Sequence, residues 1–314
     1  MNQWGRSGTP FLFILDFELS NPLVFRLEDI DPQNLLFNIN GKTNCTEKTD
    51  FSKNLRFEKI PESYETYLEK FNRVRKEIEF GNTFLLNLTC STPVEINLSL
   101  KEIFLNSSAK FRIWYNEQFV CFSPESFITI CDGVISSFPM KGTIDAAIPN
   151  AVELILADIK ETAEHNTIVD LIRNDLSLVA DHVRVERFRY IDKIKTNDKQ
   201  LLQVSSEIRG DLEKDYLSHL GDIVFKLLPA GSVSGAPKRK TTEIIADVEG
   251  CERSFYTGVL GLFNGHDLDS GVMIRFIENN NGNYFYRSGG GITAFSDPLS
   301  EYNEMIDKIY VPAV

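Results

Sequence analysis

Lys141 stands in the run Phe138-Pro139-Met140-Lys141-Gly142-Thr143, directly after two β-rich runs joined by Asp132-Gly133. A lysine is a nucleophile only as the free amine, which calls for desolvation or nearby positive charge. The Asp-Gly junction between residues 127–131 and 134–138 suits a tight primed hairpin. Pro139 cannot donate to a strand ladder, so it marks the end of the second strand. The amine is thereby delivered at a strand terminus, and Gly142 lets a ligand approach the backbone. Ser123-Pro124-Glu125 directly precedes the hairpin, so strand pairing can bring a carboxylate to the amine. Alone, this carries little weight, because a lysine before a Gly-Thr turn is ordinarily a solvated loop residue.

Carboxylates supply the second kind of chemistry. Glu161 and Glu164 lie three residues apart on one helix face, continued by Ile168 and Leu171, which should be buried. Either the acidic part of that face turns to solvent, or its carboxylates are paired or bind a metal. Glu301, Glu304 and Lys308 repeat the spacing, either as a surface Glu-to-Lys pair or as a second carboxylate set facing the first. Four convergent carboxylates with oxygen-only ligation would suit Mg²⁺. Gly289-Gly290-Gly291, between a strand and a helix, could hold an anion on its backbone N–H groups or be only a tight turn. The glycine-rich run from Pro229 to Lys238 lacks the G-x-x-x-x-G-K-[ST] pattern, so it implies no nucleotide. Arg275 is a charge in an apolar strand, to be met either by a carboxylate ligand or by a structural ion pair. His165, His182, His219 and His266 have no zinc-site spacing, and His165, beside Glu164, is either a group that supports that carboxylate's site or an ordinary helix histidine.

The elements that must position these groups can be read from periodicity. A strand is expected over residues 10–17, and a polar loop over 38–54. Apolar residues at helical spacing predict a helix over 62–80, stopped by Gly81. A strand over 83–89, a short helix near 100–105 and strands over 111–115 and 119–122 lead to the hairpin. One long helix is expected over 151–178, then extended runs over 183–195 and 201–208 with a charged loop between them. A helix over 216–228 ends at Pro229, and another runs from the glycine-rich loop to about residue 246. Strands over 256–263, 270–277 and 284–287 and a helix over 299–309 close the chain. Long antiparallel-looking strands mixed with helices indicate α+β, in a single domain over 1–314 whose first 60 residues are the less patterned part.

The formal net charge of −12 argues against nucleic acid or an anionic membrane surface as partner. It also means that an anionic substrate needs local positive charge or a metal. The five cysteines are odd in number and widely spaced with no C-x-x-C pair, so reduced, mostly buried thiols in a cytoplasmic protein are expected. No signal peptide is expected, and the longest apolar run, Phe11 to Leu15, is far too short to span a bilayer.

Taken together these residues resemble the chorismate-utilising enzymes over about residues 81–314. The motifs occur in order: Ser123-Pro124-Glu125, Pro139-Met140-Lys141-Gly142-Thr143, Glu164-His165-Asn166 through Val169-Asp170-Leu171-Ile172-Arg173-Asn174-Asp175. Pro229-Ala230-Gly231-Ser232, Gly235-Ala236-Pro237-Lys238, Ile274-Arg275, Gly289-Gly290-Gly291 and Glu301 to Glu304 complete them. Within the family the chain looks most like the aminodeoxychorismate synthase component I branch, of the folate (4-aminobenzoate) route. The resemblance implies two large antiparallel sheets packed together with flanking helices. It implies Lys141 as covalent nucleophile, Glu125 as general acid/base, and Glu164 and Glu304 as Mg²⁺ ligands supported by Glu161 and Glu301. Gly142, Thr143, Tyr256, Arg275, Gly290, Gly291 and Lys308 would then bind the substrate.

The implied reaction is amination of chorismate at C4 by ammonia, drawn from glutamine through a separate amidotransferase subunit. Three departures from relatives sharpen this. Leu85 fills the place of the water-activating lysine of isochorismate synthases, and Gln203 that of a histidine of anthranilate synthases. A tryptophan-binding segment is not evident in the short N-terminal part. The alternatives are an anthranilate synthase component I or a non-catalytic chorismate-binding subunit.

Overall fold

The run Phe11–Leu15 is buried at every position, and its two faces go to different places. Phe11, Phe13 and Leu15 join a cluster with Ile168, Ile172, Leu176 and Val224. Leu12 and Ile14 instead join Leu35, Phe37, Phe111 and Phe276. Successive strand side chains point to opposite faces, so an uninterrupted apolar strand is one covered on both sides. Helices cover one side here and a second sheet covers the other. Each fully buried aromatic of this kind contributes about 2 kcal/mol.

A computed structural model describes residues 1–47, 55–195 and 200–311. Among them the first sheet runs Met140–Asp145, Gln200–Asp211, Val134–Ser137, Ser126–Cys131, Leu268–Val272, Val259–Phe263, Phe11–Leu15 and Leu23–Arg26. Asp181–Lys195 also pairs with Gln200–Asp211. The second sheet runs Gly235–Ala236, Leu85–Ile96, Asn283–Ile292, Phe276–Asn280, Phe119–Ser123, Phe111–Tyr115, Leu35–Ile39 and Lys42–Thr43, with Phe57–Lys59 beside Leu85–Ile96. Every pairing is antiparallel. Helices Tyr64–Glu79, Lys238–Glu249 and Pro298–Asp307 cover the second sheet through Tyr67, Phe71, Ile244, Ile245 and Met305. The architecture is thus α+β with two large antiparallel sheets, as expected.

Two passages of the chain between the sheets lie side by side and position the site. The chain leaves the second sheet after Ser123 and enters the first at Ser126; it leaves the first after Val272 and enters the second at Phe276. The Val272 N–H donates to the Glu125 carbonyl at 3.1 Å, and the Phe122 N–H to the Arg275 carbonyl at 3.0 Å. Glu125 and Arg275 therefore stand together at the seam.

Several elements differ from the sequence reading. Residues 270–277 are two strands of different sheets, and Arg275 sits between them with φ 55° rather than within an apolar strand. The expected helix over 151–178 is Ala151–Ala157 followed by Ile159–Leu176. Asp158 breaks it: its backbone is extended, and its carboxylate accepts the Glu161 N–H at 2.9 Å, starting a new helix. Gly289-Gly290-Gly291 is no loop but part of strand Asn283–Ile292, in register with Asn87 to Thr89. The strand after Gly81 runs on to Ile96, and the helix over 216–228 is a 3₁₀ turn, Tyr216–His219, leading into Leu220–Lys226. The expected loop over 38–54 holds a hairpin at Asn40-Gly41, while residues 48–54 and the charged loop at 196–199 lie outside the described residues. All five cysteines are free, but only Cys90 and Cys121 are buried, and Cys131 and Cys251 are exposed. Among the described residues no helix is long and apolar enough to cross a membrane.

One polar group in the interior has no counterpart in the sequence reading. Arg253, 1 % exposed, donates to both carboxylate oxygens of Glu249 at 2.9 and 2.6 Å, and to the carbonyls of Val233 and Asn87 at 2.7 and 2.6 Å. Glu249 also accepts the Thr89 N–H at 2.8 Å. The pair ties Lys238–Glu249, the glycine-rich loop and the strand Leu85–Ile96 together. Arg253→Ala strands a buried carboxylate and is expected to cost about 3 kcal/mol of unfolding free energy. Urea denaturation checks this; a loss under about 1 kcal/mol would show the pair to be dispensable.

Candidate active site

A break in strand register decides where the amine of Lys141 goes. Met140–Asp145 pairs with Gln200–Asp211, but the register shifts between Met140 and Thr143. Gly142 lies in that bulge at φ +79°, where an L side chain is strained, and a Cβ there would also meet Glu161 Oε2 at 3.3 Å. Bulges re-aim side chains. Lys141 is thus inside a strand rather than at the terminus of one. Its Nζ lies 3.6 Å from Glu164 Oε2.

A cavity of about 300 Å³ collects most of the residues singled out above. Lys141, Gly142 and Thr143 form one wall, Glu161 and Glu164 another, and Gly291, Glu301 and Glu304 a third. Glycine at 142 and 291 leaves room in the cavity, and glycine at 290 leaves room for side chains beside it. A Cβ on Gly291 would lie 3.5 Å from Lys141 Nζ and 3.2 Å from Leu85 Cδ1. One on Gly290 would lie 3.4 Å from Glu301 Oε2 and 3.7 Å from Lys308 Nζ. On the acidic helix face Glu164 is 9 % exposed and Ile168 beyond it 2 %, while Glu161 and Leu171 are only partly buried, so the face turns inward without being fully covered. Glu301 is 3 % exposed, whereas the Glu304 side chain is half-exposed and accepts from Lys308 Nζ at 2.7 Å. The Glu-to-Lys pair is therefore present, with Lys308 also donating to the Gly289 carbonyl at 2.8 Å.

The donor set around this cavity is all carboxylate oxygen, which suits a hard divalent cation. Among the described residues no three His, Cys, Asp or Glu side chains close on one point to form a metal cage. That arrangement fits an ion held by one or two carboxylates plus waters and substrate, the usual mode of Mg²⁺. Glu164 and Glu304 would hold it, with Glu161 and Glu301 in the same walls.

Glu125 lies beside this cavity rather than in its wall. Its carboxylate accepts the Ser232 hydroxyl at 2.5 Å. Burial pushes the carboxyl pKa above its ordinary value, opposed by Ser232 and by the charges of Lys141, Arg275 and Lys308. Those three cations thus share the surroundings of Glu125. Arg275 Nε reaches the Tyr310 hydroxyl at 3.5 Å, and its guanidinium lies 5.3 Å from that ring. Tyr256 is buried against Phe276 and the Arg287 guanidinium. Tyr256, Arg275, Gly290 and Lys308 do not line the cavity itself.

Sequence reasoning gave Ser232 no role of its own beyond its motif, and for His165 the structure shows a buried, hydrogen-bonded ring on the helix of the site carboxylates. His165 is 1 % exposed, and its Nε2 is 2.7 Å from Ser206 Oγ. Burial, aided by Arg189 and Lys141, lowers its pKa to about 4, so the ring is neutral at pH 7. The bond fixes the helix that carries Glu161 and Glu164 to the strand that pairs with that of Lys141. No local pattern marks a partner so distant in the chain.

Residues 26–313 match the family of chorismate binding enzymes. The chain belongs to that family. It is 48% identical over 311 residues to an uncharacterized PabA-like protein of Haemophilus influenzae, covering 99% of this chain and 94% of that one. It is 30% identical to aminodeoxychorismate synthase component 1 of Bacillus subtilis, over 80% of this chain and 55% of that one. Similarity to anthranilate synthase component 1 of Archaeoglobus fulgidus is 32%, over 79% of this chain and 61% of that one. Among solved structures, the menaquinone-specific isochorismate synthase of Escherichia coli shares the fold with a TM-score of 0.71 at 16% identity, covering 96% of this chain and 77% of that one. Identity at this level does not separate the activities that these relatives are named for. Leu85 packs against Gly291 and offers no base, and Gln203 stands opposite Thr143 in the strand register.

Proposed function

We propose that this chorismate-family enzyme replaces the C4 hydroxyl of chorismate with ammonia, giving 4-amino-4-deoxychorismate through a covalent bond to Lys141. The observation that carries the reading is one amine in the wall of a cavity that also holds four carboxylates, with a desolvated carboxyl beside it. A bound divalent cation would neutralise those carboxylates and supply the nearby positive charge that a nucleophilic lysine needs. The Lys141 amine forms a bond to C2 as the ring double bonds shift and the C4–O bond breaks. Glu125 supplies the proton with which that oxygen leaves as water. Ammonia then bonds to C4, and the C2–N bond breaks to return the amine of Lys141. The net exchange is one ammonia in and one water out.

Bound Mg²⁺ would neutralise and fix a substrate carboxylate. Arg275 and Lys308 are proposed to balance the substrate's remaining charge, Tyr256 to support them, and Gly142, Thr143, Gly290 and Gly291 to leave room for the ring. Ammonia is proposed to come from glutamine through a separate amidotransferase subunit.

Chromatography of products from chorismate and ammonia, with and without Mg²⁺, tests this. Aminodeoxychorismate is expected only when Mg²⁺ is present. Anthranilate fluorescence appearing directly would overturn the C4 assignment in favour of anthranilate synthesis, the activity named for the Archaeoglobus relative. Chorismate binding without turnover would leave only a binding subunit.

A further inference from the structure

The glycine-rich run from Pro229 to Lys238 implies no nucleotide, yet it sits directly behind Glu125. A second, smaller cavity of about 30 Å³ lies there, lined among others by Glu125, Ser232, Gly231 and Asp175. That volume accommodates a water molecule or two, and carboxyl and hydroxyl groups in its walls provide the hydrogen bonds a buried water needs. Ser232 Oγ is already 2.5 Å from Glu125 Oε1. Across the cavity, Asp175 Oδ2 accepts from Lys238 Nζ at 2.9 Å, and Lys238 also donates to the Leu227 carbonyl at 2.8 Å. The side chains of Asp175 and Lys238 keep 14% and 20% of their surface, so this end reaches solvent. Gly231 holds the passage open: a Cβ there would lie 3.0 Å from Asp175 Oδ2 and 3.0 Å from Leu171 Cδ2.

A general acid must regain its proton every turnover. With substrate against Lys141, as proposed above, the cavity behind Glu125 is the side left for exchange with solvent. We propose that Glu125 exchanges its proton with solvent through this rear cavity, by way of water held between Ser232 and Asp175, with Asp175 and Lys238 forming the outer end. After Glu125 gives its proton to the departing oxygen, ammonia bonds to C4 as an ammonium, whose extra proton leaves with the product and is released to bulk water. The Glu125 carboxylate takes its proton from the cavity water. That water takes one from the Asp175–Lys238 pair, which is recharged from bulk water. Burial also raises the Asp175 pKa, which makes proton uptake there easier. The proposal rests on the general-acid role of Glu125 argued above, and it makes Asp175 a positioning and relay residue rather than one that touches substrate.

Asp175→Asn keeps the shape of the side chain and removes its acid. It is expected to lower kcat roughly tenfold with KM for chorismate unchanged, and to raise the solvent deuterium isotope effect on kcat. Gly231→Ala narrows the passage and crowds the Asp175 carboxylate without removing it, and is expected to give the same pattern. Difference infrared spectra of the resting protein supply a readout independent of turnover: the carboxyl band assigned by Glu125→Gln should shift in Asp175→Asn. An unshifted band, an unchanged isotope effect, or a loss confined to KM and thermal stability would overturn the relay. A wild-type protein that makes no aminodeoxychorismate but still shows the band shift would overturn the amination reading and leave the connection standing.

Discussion

Lys141→Ala is expected to lower ammonia-dependent turnover of chorismate by a thousandfold or more, because it removes the atom that forms the first bond. Everything else in the cavity stays in place. The variant keeps Glu125, the four carboxylates and the glycine-lined wall, so chorismate affinity should change far less than kcat. That split separates a nucleophile from a charge that merely holds the substrate, whose loss would appear mainly in KM. Lys141→Arg sharpens the comparison. It keeps the positive charge but supplies a guanidinium that does not deprotonate, so it should be as inactive as alanine. Mass spectrometry of wild-type protein quenched during slow turnover should find the ring on Lys141 and on no other lysine. Near-normal kcat in Lys141→Ala would mean that ammonia attacks C4 directly and would end the covalent reading.

The placement of that amine shows what could and could not be seen in the sequence. Asp132-Gly133 gives the hairpin correctly, with both residues at positive φ. The helix Tyr64–Glu79 and the strand Phe11–Leu15 are also legible from periodicity, because each buries a continuous face. What failed were places where the chain changes partners. A glycine triplet reads as a turn until one sees that Leu88 and Thr89 press against it, a Cβ on Gly289 meeting the Leu88 carbonyl at 2.4 Å. Residues 270–277 look like one apolar strand because both sheets bury their strands, and nothing local announces a change of sheet at Met273 to Arg275. Asp158 interrupts a helical pattern by capping the helix Ile159–Leu176, a role that any aspartate in a polar stretch could have declined. The carboxylates that line the cavity were legible as helical spacing, but not that the two helices bring them to one place. Nor were the site's supporting bonds: Ser232 to Glu125, His165 to Ser206 and Lys238 to Asp175 each join residues 41 or more positions apart.

Glu125→Gln is expected to lower kcat by roughly a thousandfold while leaving chorismate binding near its wild-type value, in the range found for removal of a general acid. The pH dependence carries the sharper test. Burial raises the carboxyl pKa above its ordinary value of 4.5, so the protonated, proton-donating form persists further toward neutrality than in a solvated glutamate. Wild-type kcat should therefore fall as pH rises through that raised value, and the fall should be absent from the glutamine variant's residual activity. Stability runs in the same direction. A carboxyl that holds its proton more tightly when folded binds more protons in the folded state, so unfolding free energy declines as pH climbs from the ordinary glutamate range through the raised value. Below that window the carboxyl is protonated in both states and contributes no slope. Glutamine has nothing to ionise, so the variant should lose that part of the slope and gain thermal stability relative to wild type on the alkaline side. Parallel thermal melts and initial rates across pH read both effects from the same two proteins. If the melts shift as described while the rate profile keeps its alkaline fall, Glu125 is a buried acid that takes no part in proton transfer, and another group must protonate the leaving oxygen.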